Sequence, residues 1–178
     1  GAMSPLLAQA VPHVAHLAIR NAGTLGGSLA LADPAAEYPA VALALGATFV
    51  VQGAQGVRRI GADDFFQGLY QTARLPHEIL VGAEFPVIAP GGRAHFSELA
   101  RRRGDFAMVG LAAQFEINEG VIARVRLAYL AVADRPVLAA GAMAALQGRA
   151  PDAQAVRAAR GALAGDLDPP GDLQCDPA

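Results

Sequence analysis

The sequence predicts an α+β fold, in which a mixed first half is followed by a small three-stranded antiparallel sheet and two helices. Three observations point to it. Of 178 residues, 53% are hydrophobic and only 17% charged, so the chain has the means to bury a core. Two hairpin patterns stand out, with turns at 53–56 and 118–120 between strand-like runs. The Ala-Pro-Gly-Gly stretch at 89–92 separates the first pattern from the second.

Taken in order, Gly1 to Met3 read as a cleavage scar ahead of the native sequence. Residues 5–15 read as a short helix, with Ser4 to cap it, Pro5 suited to its first turn and Pro12 bending or ending it. Residues 19–28 read as a turn-rich loop with Gly23, Gly26 and Gly27. Asp33 and Pro34 restart structure, and 35–45 form a helix that is apolar almost all round, closed by Gly46. Strands are expected at 47–52, 57–60 and 79–87, with a short helical turn at 61–66. Beyond the boundary, strands are expected at 94–100, 107–117 and 121–132, then Ala-rich helices at 137–146 and 153–164. The expected organisation is therefore a first unit over 4–90, a second over 91–165 and an irregular tail over 166–178.

Composition excludes several classes. The net charge is −2, which argues against a nucleic-acid binder, and all 14 basic residues are Arg. No stretch reaches the roughly 18 apolar residues of a spanning helix, so membrane insertion is not expected. A single Cys excludes a disulfide framework, a four-Cys zinc site or an iron–sulfur centre within the chain. Neither a Walker loop, a dinucleotide fingerprint, a nucleophile elbow nor a zinc-protease motif is present.

The segment Thr24-Leu25-Gly26-Gly27-Ser28 carries the most chemistry. Adjacent glycines let backbone N–H groups converge on an anion, and the two hydroxyls add donors, an arrangement that suits a diphosphate; equally, two glycines in a loop can be a plain turn. Asp33 and Glu37 are four apart, which places both carboxylates on one face of a helix starting near 33. They either cap that helix or hydrogen-bond ribose hydroxyls beside the glycine segment. His13 and His16 lack the further ligands of a metal site, so a packed or surface role is expected. The Arg101-Arg102-Arg103 run reads as a solvated patch or subunit contact rather than a nucleic-acid site. Phe106, two residues after Gly104, either presents its ring at a loop tip to a planar ligand or joins the core.

The ordered combination of motifs is more specific than any one of them. Arg20-Asn21-x-Gly23-Thr24-x-Gly26-Gly27, then Asp33-Pro34-x-x-Glu37-x-Pro39, then Arg103-Gly104-Asp105-Phe106-Ala107 resembles the flavin-binding medium subunit of the molybdenum hydroxylases. Carbon monoxide dehydrogenase and xanthine dehydrogenase belong to that family. The likeness runs in order over roughly residues 5–173.

The resemblance implies the second lobe of a vanillyl-alcohol-oxidase-type FAD-binding domain over 4–90, followed by a domain like the carbon monoxide dehydrogenase flavoprotein C-terminal domain. It assigns Thr24, Leu25, Gly26 and Gly27 to the FAD diphosphate. Asn21, Ser28, Asp33 and Glu37 fall at its phosphate and ribose region, and Phe106 near the isoalloxazine. It further implies a cytoplasmic electron-transfer subunit with no catalytic or metal-binding residues of its own. Its partners would be an iron–sulfur small subunit and a molybdopterin large subunit that oxidises the substrate. The family's additional N-terminal lobe and closing C-terminal helix have no counterpart here, so a truncated chain with a weakened FAD cradle is expected. The alternative expectation is a cofactor-free assembly module that keeps the scaffold, exposes apolar surface and self-associates.

Overall fold

Helix α4 (Glu37–Leu45) is apolar on every side, so a single neighbouring layer cannot bury it, and the rest of the chain packs around it. The computed structural model describes residues 4–169 and 171. The expected scar at 1–3 and most of the expected irregular tail lie outside the described residues.

Around α4 the first part of the chain forms helices α1 (Pro5–Ala10), α2 (Leu17–Ala22) and α3 (Leu25–Leu31). Strands β1 (Thr48–Gly53) and β2 (Gly56–Gly61) make the predicted hairpin, and a short helix α5 (Ala62–Phe65) follows. Two short strands, β3 (Phe66–Gly68) and β4 (Gln71–Thr72), pair with each other. Strand β5 (Ile79–Glu84) then returns to pair with β1, giving the antiparallel order β2-β1-β5. Phe49, Phe65 and Phe66 stack beneath this sheet, with ring centroids 4.0 to 5.5 Å apart.

The second part forms strands β6 (Arg93–Ala100), β7 (Ala107–Asn118), β8 (Val121–Leu130) and β9 (Val137–Leu138). They make an antiparallel sheet in the order β6-β7-β8-β9. Helices α6 (Ala140–Leu146) and α7 (Ala153–Asp166) follow. Alternation along β8 serves two layers. Ala128 and Leu130 join the core around α4, while Leu127 and Tyr129 face α6 and α7. Arg126, from the same strand, donates to the Leu43 carbonyl through Nε (3.1 Å) and Nη2 (2.8 Å) and pairs with Asp63. It thus adds donors to a carbonyl that already accepts from the Gly46 amide (3.1 Å) at the end of α4, where Gly46, with φ of +63°, closes that helix.

Four expectations need correction. Residues 19–28 are not a loop: they hold most of α2 and the start of α3, because the Thr24 hydroxyl accepts from Gly27 N (3.0 Å) and caps a helix there. The central helix begins at Glu37 rather than 35, because Asp33 Oδ1 takes the Ala35 amide (2.9 Å) in a local turn. Residues 137–138 are a fourth strand, not helix. Helix α6 starts only after Ala139, where Asp166, 25 residues ahead of Gly141, accepts from the Gly141 and Ala142 amides at 2.7 Å each. Finally, the first helix ends at Ala10, ahead of Pro12.

Candidate functional site

Two clips bring distant segments together at one end of α4. Gln9, on α1, donates to Ala94 O (3.2 Å) and accepts from Phe96 N (2.9 Å), so α1 is tied to edge strand β6. After α1 the chain turns through Ala15, at φ +42°, and Arg20 Nη1 donates to the Val14 and Ala15 carbonyls, both at 2.6 Å. The β6–β7 loop comes back onto this turn. Gly104 has φ +82°, and a Cβ there would lie 2.6 Å from His16 Nδ1 and 3.0 Å from the Ala15 carbonyl. Only glycine combines that backbone with that approach.

These contacts leave two adjoining cavities. One, of about 370 Å³, is lined by Arg20, Thr24, Leu25, Gly27, Ser28 and Asp33 among others. The second, of about 290 Å³, is lined by Ser28, Glu37, Gly104, Asp105 and Phe106. Val14, Ile19, Ser28 and Ala36 line both, so together they make one groove from the start of α3 to the loop bearing Phe106. The Phe106 side is held open: the residue is 71% exposed, and its amide is taken by Asp105 Oδ1 (3.0 Å). Leu17, Ile19 and Leu31 are more than half exposed nearby in the sequence.

The two glycines have different jobs. A Cβ on Gly27 would meet Thr24 Oγ1 at 2.9 Å, so Gly27 makes room for the cap itself. A Cβ on Gly26 would meet nothing within 4 Å. Neither has a positive φ, so the expected need for conformational freedom is not their reason for being glycine. Leu25 and Gly26 begin α3, where their N–H groups have no intrahelical partner and suit an anion.

Glu37 is buried and lines the groove. Burial pushes its carboxyl up to about 7; the charges of Glu98 and Asp33 push the same way, against its own backbone hydrogen bond and His13. Asp33 stands outside the helix, so the expected pairing on one helical face does not form, although both residues line the groove. Asn21, exposed on α2, and Gly26, on α3, line neither cavity.

The sequence motifs leave out Tyr38 and Glu98 at this end, whereas Arg20 stands in one of them, His13 is expected in a packed or surface role, and Arg102 and Arg103 in a solvated patch or subunit contact. Arg20 braces the turn, and Tyr38 lines the first cavity. His13 Nδ1 lies 3.2 Å from Oε1 of Glu98, whose carboxylate is buried. The signal for Glu98 was present: Ala94, Phe96 and Ala100 share its strand face, which puts a carboxylate on an apolar side. Arg102 and Arg103 line a cavity with His13, Glu98 and Gly104.

Comparison with known proteins gives a consistent picture. Residues 1–88 match the family model described as FAD binding domain in molybdopterin dehydrogenase, and residues 94–178 the CO dehydrogenase flavoprotein C-terminal domain. The carbon monoxide dehydrogenase medium chain of Hydrogenophaga pseudoflava is 34% identical over 97% of this chain and 60% of its own length. The nicotine 6-hydroxylase medium subunit of Paenarthrobacter nicotinovorans is 40% identical over 85% of this chain and 49% of that protein. A solved structure of carbon monoxide dehydrogenase from Hydrogenophaga pseudoflava superposes with a TM-score of 0.93 at 37% identity, covering 97% of this chain and 60% of that one. The chain thus spans about 60% or less of the length of these relatives.

Proposed function

The chain belongs to the flavoprotein family of molybdenum-hydroxylase medium subunits, and from that premise we propose that it forms the FAD-holding, electron-passing part of such an oxidoreductase. The observation that carries this reading is the single groove shared by Ser28 and Phe106. It has anion donors at one end and an exposed ring at the other, which suits a molecule that joins a diphosphate to a planar ring system.

The residues fit FAD. Leu25 lines the groove and presents an open N–H group at the start of α3, and the next N–H, of Gly26, is open as well although Gly26 itself lines neither cavity. Thr24 and Gly27 keep that helix start in place, and Ser28 adds a hydroxyl where the two cavities meet. Asp33 and Glu37 supply oxygens toward the ribose and ribityl part. Phe106 offers its ring to the isoalloxazine. Asn21, away from the groove, drops out of this contact set. When bound, FAD supplies a centre that accepts and releases electrons; this chain's residues bind it, orient it and set the polarity around it.

In this reading the substrate is oxidised in a molybdopterin-bearing large subunit, and electrons arrive through an iron–sulfur small subunit. No helix among the described residues is long and apolar enough to cross a membrane. We assign the complex to the cytoplasm.

Titration of the purified chain with FAD, followed by flavin fluorescence and absorbance, tests the reading. Saturable binding that Phe106→Ala weakens without unfolding the protein supports it. Absence of binding by the folded chain overturns cofactor binding and leaves the family membership standing. A second reading, a cofactor-free assembly module that self-associates, draws on the exposed Leu17, Ile19 and Leu31. Sedimentation at increasing concentration separates the two: a monomer throughout excludes self-association.

A further inference from the structure

The turn between α1 and α2 and the β6–β7 loop face each other across a cavity of about 290 Å³. Pro12 and His13 line it from the turn, Glu98 from β6, and Arg102 and Gly104 from the loop. Gly104 also lines the groove that contains Phe106, so this loop is the wall between the two spaces.

Contacts hold the turn on both sides of the cavity. Toward β6 they run in steps along the strand. Gln9 takes Ala94 and Phe96; four residues on, the His13 ring packs on Phe96 with centroids 5.2 Å apart, and His13 Nδ1 lies 3.2 Å from Oε1 of Glu98. Toward the loop, Gly104 comes so close that a Cβ there would fall 2.6 Å from His16 Nδ1. Two residues later Phe106 is 71% exposed, and its amide is taken by the neighbouring Asp105. Where its ring stands therefore depends on where the turn holds Gly104.

The carboxylate is a costly way to make this contact. The Glu98 side chain is only 6% exposed, and its Oε2 has no hydrogen-bond partner among the described residues. A well-packed apolar side chain at such a place is often as stabilising or more so. Stability alone thus does not account for Glu98. Registration does: an apolar surface lets a neighbour slide, whereas a carboxylate facing an imidazole fixes one position of the turn along β6.

We infer that His13 and Glu98 are positioning residues for Phe106: together they set the turn on β6, the turn sets Gly104, and Gly104 sets the ring at the mouth of the groove. The inference rests on the flavin reading only for what the ring meets there; the registration belongs to the chain without a ligand.

The chain contains no Trp, so Phe106→Trp places a single indole on the loop, and its fluorescence anisotropy reports loop order without FAD. In that background Glu98→Leu removes the contact and keeps the site apolar. The expected result is a melting temperature that holds or rises while the anisotropy falls, a separation that a merely structural role would not produce. His13→Ala should also lower the anisotropy, and His13→Asn, whose amide nitrogen can take the place of Nδ1, should restore part of it. If circular dichroism shows that His13→Ala is unfolded, Glu98→Leu decides. An unchanged anisotropy in folded Glu98→Leu overturns the inference, and so does one that falls only together with the melting temperature. With Phe106 in place, FAD titration of Glu98→Leu should give binding roughly threefold to thirtyfold weaker, the range for residues that act on a site through others; unchanged affinity overturns the link to the groove. If the wild-type chain binds no FAD, the flavin reading falls and the anisotropy still decides the registration.

Discussion

Arg58 grips Glu78 with two parallel hydrogen bonds, Nε to Oε1 at 2.6 Å and Nη2 to Oε2 at 2.7 Å. The Leu75 amide adds a third to the same carboxylate, at 2.8 Å. The arrangement ties β2 to the turn that leads into β5 and holds the edge of the first sheet. The Arg58 guanidinium, followed by the Leu75 amide, lowers the Glu78 carboxyl from 4.5 to about 2. A carboxyl depressed on folding contributes stability above its unfolded value and loses it as pH falls toward its folded value. Wild-type stability should therefore decline between about pH 4.5 and 2. Glu78→Gln should lose stability at neutral pH and flatten that acid limb, which urea denaturation at stepped pH measures.

Glu37 has the opposite sign. Its carboxyl is raised on folding to about 7, so the folded state binds more protons than the unfolded chain between 4.5 and 7. Its contribution is present below 4.5 and is lost as pH rises through 7. Glu37→Gln should therefore reduce the fall in stability between those values, read from denaturation midpoints on the two sides of the window.

Adjacent glycines should respond differently to the same substitution. Gly27→Ala drives a methyl against Thr24 Oγ1 and weakens the cap of α3, at a cost of about 1 kcal/mol. Gly26→Ala meets open space and should raise helix stability by roughly 0.5 to 1 kcal/mol. FAD binding should hardly change, because Gly26 lines neither cavity of the groove. Thermal melts and FAD titrations of both variants check the contrast.

Phe106→Ala removes a ring that is 71% exposed, so the melting temperature should hardly move. FAD affinity should fall, and the quenching of bound flavin fluorescence should weaken with it.

Gly104→Ala should be costly twice over, through φ +82° and through the 2.6 Å approach to His16 Nδ1. Strain of this kind costs about 1 to 3 kcal/mol. Denaturation should show that loss, together with weaker FAD binding as the Phe106 loop shifts.

Much of the fold was legible because its signals are local. The hairpin at β1–β2, the long β7–β8 pair and the Gly46 terminus follow from alternation and turn residues within a few positions. Where the reading failed, the deciding partner lay elsewhere. The Gly26–Gly27 pair reads as a turn unless the Thr24 cap is given its weight. The start of α6 depends on Asp166, which no local pattern connects to Gly141. At the site, the ordered motifs pointed to Thr24, Ser28, Asp33, Glu37 and Phe106, and these do line one groove. The pairing of His13 with Glu98 was not legible because the two belong to different halves of the chain and meet only when α1 docks on β6.

The Pro-Gly-Gly stretch that looks like a seam is not a place where the molecule comes apart. Helix α4 belongs to the first half, yet Ala112, Ala128 and Leu130 of the second half complete the core around it, and Arg126 closes its last turn. Either half made alone would present water with a face the other half should cover. The chain should therefore melt in a single transition, and a disturbance at the β8 end of α4 should be felt at Glu37, because one short helix spans both.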